Sequence, residues 1–325
     1  MNFKSLPQLL DYFKTEQICI EYYENIRWKG NPSCPFCGTT KAPYKTNRGY
    51  KCSEKLCHKK FTVKVGTIFE NSKIPFRIWL AAIWLCTAHK KGISSVQVGI
   101  DLNVTQKTAW FVLHRIREML KQQKPEIIGG SNAVEIDESF IGGREDAKHY
   151  KKRRSDENPS LKNDGTPYVP KKVVVGIIER NGNVILKYVP AATKENMVPF
   201  IEQYVPKGTK IFTDESNVYA KIGTKYEHGT VQHNLKIYVS GDCHTNTIES
   251  FWAILKRGIY GIYHQVSEKH FERYLNEFAS RYNARKDTPQ DRIEKFLNDS
   301  ERRLKYADLI AKTESAGTEM CAVRI

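Results

Sequence analysis

The chain has 325 residues, of which 40% are hydrophobic and 11% aromatic, values that are ordinary for a globular protein and exclude general disorder. It carries 52 lysines and arginines against 36 aspartates and glutamates, a net charge of +16, which favours a polyanionic partner. No apolar run reaches the roughly 18 residues that a membrane-spanning helix needs, and the amphipathic start contains acidic residues, unlike a signal sequence. We therefore expect a cytosolic protein without a membrane partner.

Five stretches of different pattern follow one another along the chain. A short helical lead-in comes first, then a turn-rich stretch that holds four cysteines, then a stretch with helical periodicity that ends at two glycines. In the longest segment strands come first and then alternate with a helix, and a charged, helix-prone tail follows it. The predicted boundaries of the five stretches are 1–27, 28–69, 70–128, 129–286 and 287–325.

The second stretch carries a cysteine pattern typical of a structural zinc site. CPFCG separates Cys34 from Cys37 by two residues, and YKCSEKLCHKKF separates Cys52 from Cys57 by four. Structural Zn²⁺ takes four ligands in a tetrahedron, and a segment this short has little apolar core to fold around without a metal. The second pair is wider than usual, so His58 is an alternative ligand. The four cysteines predict a zinc ribbon in a reducing compartment.

The stretch from Ser94 to Arg117 has the pattern of a helix-turn-helix, with a turn at Leu102–Val104 and a second helix capped by Thr105. Such a second helix can enter the major groove of DNA. The alternative is a helical hairpin that only packs between domains. In the second helix we expect a buried stripe of Ala109, Val112, Leu113 and Ile116. We expect the outward side chains to be Gln106, Lys107, His114, Arg115 and Arg117, with Gln106, Lys107 and Arg115 as DNA contacts.

The 129–286 segment predicts a mixed sheet covered by helices. A strand is expected over Val134–Ile141, a hairpin around Asn181-Gly182, a helix from Thr193 and a further strand in KIFTD. A basic run lies in the polar insertion after the first strand. This run is either a solvated charge cluster or a contact to a phosphate backbone, and consists of Lys151, Lys152, Arg153 and Arg154.

Three acidic residues come from distant parts of this segment. Asp137 lies in the strand VEIDESFIGG, Asp214 ends the strand IFTD, and Glu249 lies on the helical pattern of TNTIESFWAILKR. Carboxylate oxygens are the ligands that Mg²⁺ and Mn²⁺ prefer, and a pair of such ions can stabilise both oxygens of a phosphoryl displacement. Taken singly, each acid is an ordinary surface charge. Their placement on strand, strand and helix favours a shared metal site.

Glu249 and Lys256 are expected on one flank of the last of these helices. Seven residues at about 100° each bring Lys256 back to within about 20° of Glu249. This spacing lets Glu249 hold a metal while Lys256 reaches a phosphate. Asn246 lies one turn before Glu249 on nearly the same flank, and is an alternative or additional ligand. The apolar face of the helix consists of Ile248, Phe251, Trp252 and Leu255.

The ordered motifs of the chain match a known family. They include CPFCG, FTVKVGTIFENSKIPF, KKGISSVQVGIDLNVTQKTAWFVLHRIRE, VEIDESFIGG, VVVGIIERNGNV, TDES and HTNTIESFWAILKRGIYGIYHQVSEKHFERYLNEFASRYNAR. Over nearly its whole length the chain resembles the zinc-ribbon DDE transposases of bacterial insertion sequences, specifically insertion-sequence family 1595. The resemblance implies a catalytic domain of ribonuclease-H-like fold and metal-dependent cutting and joining of DNA ends. It also implies that the N-terminal domains bind the terminal inverted repeats of the element.

Carried over position by position, the catalytic set is Asp137, Asp214 and a third residue followed by Lys256. In this family the third residue is Asn in some branches and Glu in others, and we favour Glu249 over Asn246 because a carboxylate is the better Mg²⁺ ligand. We expect Mg²⁺ or Mn²⁺ in the catalytic site, structural Zn²⁺ in the ribbon, and a nucleoid-associated homo-oligomer on double-stranded DNA, both terminal repeats and target.

The sequence thus predicts a multidomain protein of α/β (α+β) class. Its expected parts are an N-terminal zinc ribbon, a helix-turn-helix, and a C-terminal ribonuclease-H-like mixed sheet with flanking helices. Two rival functions are a ribonuclease-H-type nuclease that cuts without joining, and a zinc-ribbon DNA-binding regulator with an inactive catalytic domain. The DNA-reading modules argue against the first rival, and the retention of all three acids argues against the second.

Overall fold

The structure is a computed structural model that describes residues 3–121, 126–142, 171–219, 224–231, 242–301 and 303–311. Within these residues the chain divides into two compact units. The first unit comprises residues 1–87, 94–120 and 287–325, and the second comprises residues 88–93 and 121–286.

The described residues form ten α-helices and eight strands, numbered here in chain order. The helices are α1 (Leu6–Tyr12), α2 (Glu16–Trp28), α3 (Phe76–Ala88), α4 (Ser95–Asp101), α5 (Gln106–Met119), α6 (Lys194–Tyr204), α7 (Asn246–Gly258), α8 (Glu268–Asn283), α9 (Pro289–Asn298) and α10 (Tyr306–Ile310). The strands are β1 (Tyr44–Thr46), β2 (Gly49–Lys51), β3 (Lys60–Phe61), β4 (Val134–Ile141), β5 (Lys172–Glu179), β6 (Val184–Val189), β7 (Lys210–Asp214) and β8 (Glu227–Val231).

The first unit is built around an aromatic core. The ring of Tyr23 in α2 stacks on Phe76 of α3 with 5.1 Å between centroids, and Phe69 lies 4.7 Å from Phe76. The Tyr23 hydroxyl and the Ser300 hydroxyl are hydrogen-bonded at 2.5 Å, and Ser300 is fully buried. The segment after α9 therefore packs into the same core as the N-terminal helices, although it is distant in sequence.

The cysteine-bearing segment of the first unit contains a small antiparallel sheet in the order β1-β2-β3. One face of this sheet is covered, because Tyr50 and Phe61 both pack edge-on against Trp28 at the end of α2. Gly49 has a φ of +125°, and a Cβ there would lie 2.6 Å from the Phe61 carbonyl oxygen. The turn between β1 and β2 therefore requires glycine.

The predicted helix-turn-helix is present as α4 and α5. Asn103 in the turn has a φ of +51°, and the Val104 amide donates to the Gly99 carbonyl at 2.9 Å. The Thr105 side chain caps α5 by accepting from the Thr108 amide at 3.2 Å, as the sequence predicted. The turn is tight, because a Cβ at Gly99 would lie 3.0 Å from the Val104 carbonyl oxygen.

The second unit contains a five-stranded mixed sheet in the order β6-β5-β4-β7-β8. β4, β5 and β6 pair antiparallel, whereas β7 and β8 run parallel to β4. This topology is the ribonuclease-H-like arrangement expected from the sequence. The hairpin between β5 and β6 turns at Asn181, whose φ of +60° is the left-handed conformation that an Asn-Gly turn favours.

Helices cover both faces of this sheet. Strand β5 lies between β6 and β4, and its apolar residues alternate between the two faces of the sheet. Val173, Val175 and Ile177 pack with α6, and Val174 and Ile178 pack with α7 and α8. A strand buried on both sides reads as a continuous apolar run, which is how KVVVGIIE reads.

Strand β8 was not predicted from the sequence. Its residues, EHGTV, are polar and lack apolar alternation, and Val231 is the one among them that is fully buried. An edge strand needs to bury little, because it pairs on one side only, so its hydrophobic signal is weak. In the described part of the chain, no helix has the length and apolar character to cross a membrane.

Candidate functional site

Three predicted acidic residues and the predicted lysine line one cleft of the second unit. Asp137 lies in β4, Asp214 ends the parallel neighbour β7, and Glu249 and Lys256 lie on α7. The cleft has a volume of about 470 Å³. Its lining residues are Asp137, Glu138, Ser139, Asp214, Thr245, Glu249, Trp252, Ala253 and Lys256. Residues up to 119 positions apart in sequence thus line one cleft.

Asp137 is held in place by Trp252 of α7. The indole Nε1 donates to Asp137 Oδ2 at 2.9 Å. The residue opposite Asp137 in β5 is Gly176, and a Cβ there would lie 2.7 Å from the Trp252 ring. The glycine therefore gives the indole the space to lie against the sheet and reach the carboxylate.

The cleft concentrates negative charge around Asp137. Its pKa is raised from the ordinary 3.8 to about 7, first by burial and then by the charge of Glu138, while the hydrogen bond from Trp252 lowers it. The pKa of Glu138 is also raised, mainly by burial. Carboxylates of this kind are the type of donor that Mg²⁺ or Mn²⁺ prefers. Among the described residues, no three carboxylate groups of the cleft bring their oxygens within 4.8 Å of one another.

Glu138 was not among the site residues predicted from the sequence. Its Oε2 accepts a hydrogen bond from the hydroxyl of the fully buried Tyr219 at 2.7 Å. Alternation along a strand assigns Glu138 to the face opposite Asp137, so periodicity alone would not bring both acids to one cleft. The available signal was their adjacency in the motif VEIDES.

Asp214 is fixed by the turn that follows β7. Its Oδ1 accepts from the Ser216 amide at 3.1 Å. The preceding Thr213 is buried, and its hydroxyl lies 2.8 Å from His228 Nε2 on β8. The edge strand therefore helps to fix the end of β7, where the carboxylate projects.

Glu249 and Asn246 are separated by the structure. Glu249 lines the cleft, and its Oε1 accepts from the Thr245 hydroxyl at 2.9 Å. Asn246 is exposed in the first turn of α7 and is absent from the cleft lining. Lys256, two turns after Glu249, lines the same cleft, in agreement with the flank predicted from the seven-residue spacing.

A second residue that the sequence analysis overlooked holds α7 itself. Glu135 in β4 is fully buried, and its Oε2 accepts from the backbone amides of Thr247 and Ile248 at 2.9 and 3.0 Å. Its Oε1 accepts from the Thr247 hydroxyl at 2.9 Å and from Arg180 Nε at 2.8 Å. Thr245, in the N-cap position, makes no side-chain capping bond, so Glu135 caps the helix from the neighbouring strand. The signal was an acid between two apolar residues of the strand, Val134 and Ile136.

The four predicted cysteines form a cluster in the first unit. Their sulfur atoms all lie within 4.8 Å of one another, with Cys34 to Cys57 at 3.8 Å and Cys37 to Cys52 at 3.6 Å. A tetrahedron with Zn–S bonds of about 2.3 Å has sulfur–sulfur edges of about 3.8 Å, so the observed spacing fits zinc. His58 is not part of the cluster. Among the described residues, no other group of three or more His, Cys, Asp or Glu side chains has its ligand atoms within 4.8 Å of one another.

The N-terminal end of α5 is exposed, as a groove-reading helix requires. Gln106 and Lys107 are both exposed. The Gln106 amide donates to the Ser95 hydroxyl at 2.9 Å, and Lys107 Nζ lies 5.4 Å from the centre of the Tyr306 ring.

The expectation that Arg115 points outward is wrong. Arg115 is buried, and its guanidinium donates to the carbonyls of Leu304 and Glu70 at 3.2 and 2.9 Å and lies 4.7 Å from the Phe111 ring centre. His114 and Arg117 are buried as well. A helical wheel assumes one buried stripe, but the second half of α5 is covered by other segments of its own unit. The basic run Lys151–Arg154 lies outside the described residues.

Comparison with known proteins agrees with this geometry. Residues 129–283 match the ISXO2-like transposase domain, and residues 14–60 match the transposase zinc-ribbon domain. The chain is also similar to an uncharacterized protein in transposable element ISH50 of Halobacterium salinarum, with 24% identity over 277 residues, which cover 83% of this chain and 91% of the relative. The two domain matches together cover more than half of the sequence.

The chain belongs to the zinc-ribbon DDE transposases of insertion-sequence family 1595. The matched transposase domain contains β4 to β8 and α6 to α8, which carry all the residues of the acidic cleft. The matched ribbon domain contains the four clustered cysteines.

The role of Glu135 gives a testable expectation for stability. Glu135→Gln removes the charge that pairs with Arg180 and faces the N-terminus of α7, so it should lower the free energy of unfolding by about 3 kcal/mol. The amides of Thr247 and Ile248 should lose protection in hydrogen exchange. The matched control is Glu227→Gln, an exposed acid of the same unit, with an expected effect below about 0.5 kcal/mol. Equal effects of the two substitutions would contradict this role.

The raised pKa of Asp137 predicts a pH dependence. In Mg²⁺-free buffer the folded state retains this proton up to about pH 7, whereas the unfolded chain loses it near pH 4. The folded state therefore binds more protons in this window, and stability falls as the pH rises through it. Asp137→Asn stays neutral, so at pH 8 it should be more stable than the wild type by roughly 3 kcal/mol, with little difference at pH 4. Thermal unfolding across this range, with the exposed Asp242→Asn as control, measures the effect. A parallel pH profile for the wild type and Asp137→Asn would rule it out.

Proposed function

We propose that the protein is a DNA transposase that binds the terminal inverted repeats of its insertion sequence and catalyses metal-dependent strand cleavage and strand transfer. The observation that carries the proposal is the acidic cleft, where Asp137, Asp214 and Glu249 lie together with Lys256. The family to which the chain belongs supports the same reaction class.

Asp137, Asp214 and Glu249 are the residues that would hold Mg²⁺ or Mn²⁺. When bound, such ions supply positive charge beside the attacking and leaving oxygens of a phosphodiester. Glu138 adds a fourth carboxylate to the same cleft. Asn246 is not part of the lining, which favours Glu249 as the third ligand.

The side chains of the cleft position the reacting groups. In cleavage, a water oxygen bonds to phosphorus and the bond to the 3′-oxygen breaks, which leaves a 3′-hydroxyl and a 5′-phosphate. In strand transfer, that 3′-hydroxyl attacks a target phosphodiester and releases a target 3′-hydroxyl. The Lys256 ammonium would bind a phosphate oxygen and orient the scissile bond. Trp252 and Thr245 keep the carboxylates of Asp137 and Glu249 in place through their hydrogen bonds.

Recognition of the repeats would involve the start of α5 in the first unit and the basic run of the polar insertion. Gln106 and Lys107 at the exposed start of α5 would contact base edges in the major groove. Lys151, Lys152, Arg153 and Arg154 would contact phosphates. An element has two ends and each chain offers one acidic cleft in its described part, so we expect a homo-oligomer on DNA.

One observation argues against each of the two rival functions. A regulator with an inactive domain has no need to keep the acids in one cleft, yet they meet there with Lys256. A nuclease that only cuts has less use for a ribbon and a helix-turn-helix. Strand transfer is the activity that distinguishes this last rival from a transposase.

Zinc content tests the ribbon. The cysteine cluster should hold about one Zn²⁺ per chain, and metal binding should supply most of the folding free energy of the ribbon, of order 10 kcal/mol. Cys34→Ser should lose the zinc, whereas Cys243→Ser, which changes a cysteine outside the cluster, should retain it. Elemental analysis of the purified variants measures this. Full zinc occupancy in Cys34→Ser would exclude the assignment.

Substitution of the acids tests catalysis. Asp137→Asn, Asp214→Asn and Glu249→Gln keep the side-chain shape but remove the charge that retains Mg²⁺, so each should slow nicking at least about 100-fold. Binding to the terminal repeat should stay near wild type, and Asn246→Ala should be milder. The measurement is Mg²⁺-dependent nicking and strand transfer of a labelled terminal-repeat duplex. An active Glu249→Gln beside an inactive Asn246→Ala would move the third-ligand role to Asn246.

A further inference from the structure

The zinc ribbon exposes one face of its small sheet. Antiparallel pairing places Tyr44 opposite Lys51, and Lys51 opposite Lys60. Directly opposed residues point to the same side of a sheet, so these three side chains form a row across β1, β2 and β3. We call this row the outer ribbon face.

The other side of the sheet is already used for packing. Tyr50 and Phe61 alternate with the outer residues and contact Trp28, with ring centroids 5.3 and 6.0 Å apart. Tyr44 is 60% exposed and Lys60 is exposed, whereas Lys51 in the middle of the row is half-buried. The outer ribbon face is therefore directed away from the core that holds the ribbon to α2.

The outer ribbon face places like charges next to one another. Lys51 and Lys60 are direct cross-strand partners, an arrangement that destabilises a sheet when nothing compensates it. Between residues 39 and 60 the chain has seven basic side chains and a single acidic one, Glu54. In the described part of the chain, no ion pair within 4.0 Å involves any of these seven: Lys41, Lys45, Arg48, Lys51, Lys55, Lys59 and Lys60.

A polyanion supplies the missing compensation. Two lysines on neighbouring strands, about 5 Å apart at the backbone, offer flexible point charges to successive phosphates of one DNA strand. The Tyr44 hydroxyl adds a hydrogen-bond donor at the end of the row. Lysines on a flat exposed sheet that contact only phosphate oxygens would position DNA without reading its sequence.

We propose that the outer ribbon face, formed by Tyr44, Lys51 and Lys60, binds the phosphate backbone of double-stranded DNA independently of sequence. The identity of the polyanion rests on the proposed function. The division of labour that follows is that α5 selects the terminal repeat, while the ribbon adds affinity on any duplex.

The test compares variants of the full chain on a terminal-repeat duplex and on a scrambled duplex over a range of salt concentrations. Lys51→Gln/Lys60→Gln should make the salt dependence shallower by about two in the log–log slope, one for each phosphate contact. It should weaken binding to both duplexes by the same factor, so the preference for the repeat is unchanged. Lys51→Arg/Lys60→Arg retains the charges and should restore the wild-type slope.

Two controls make the comparison specific to this face. Lys45→Gln removes one charge from the same sheet, but Lys45 is paired with Tyr50 and so lies on the opposite side. It should change the slope less than Lys51→Gln does. Zinc content equal to wild type shows that each variant keeps a folded ribbon.

A wild-type slope in the double variant, or equal effects of Lys45→Gln and Lys51→Gln, overturns the proposal. Unequal losses on the two duplexes also overturn it, because the face would then read sequence. Failure of the proposed function is distinguishable: wild-type protein would not nick its repeat, and Gln106→Ala/Lys107→Ala would leave repeat preference intact.

Discussion

The second unit depends on one buried carboxylate, that of Glu135. Glu135 joins β4, which carries Asp137, to the first turn of α7, which carries Glu249. Glu135 accepts hydrogen bonds from two amides of the helix end and pairs with the Arg180 guanidinium, so its own burial is compensated at several points. The distance between two acids of the cleft is therefore set by a third acid that does not line the cleft. A purely apolar contact would bury similar area but would not fix the helix end in register with the strand.

In the cleft, by contrast, the carboxylates repel one another. Its acids are brought together by β4, β7 and α7, and burial with mutual repulsion raises the pKa of Asp137 to about 7. The fold can maintain this repulsion because the apolar layers on both faces of the sheet and the hydrogen bond from Trp252 stabilise the surrounding elements. Without a cation, this repulsion lowers the stability of the folded state. Functional sites commonly carry such locally unfavourable arrangements.

The stability of the first unit rests on a different interaction in its ribbon. Its helices fold around an aromatic core, but the ribbon has a sheet of eight residues with a single covered face, which is too little to be stable alone. Four thiols at tetrahedral spacing can stabilise the ribbon by binding a metal, so the other side of the ribbon sheet need not pack against the rest of the unit. Lysines can occupy that side for the same reason: metal ligation, not burial of the face, holds the strands together.

The sequence by itself determined the elements whose signals are local. Cysteine spacing gave the ribbon, Asn181-Gly182 gave the hairpin, and the seven-residue spacing from Glu249 to Lys256 gave their common flank, because turn chemistry, ligand spacing and helical period all act over a few residues. Only the tertiary structure decided the burial of Arg115, the capping of α7 by Glu135 and the presence of the edge strand β8. Each of these depends on segments that are distant in sequence. A helical wheel or strand alternation predicts one buried face of an element, but it does not show which distant segments cover its other faces.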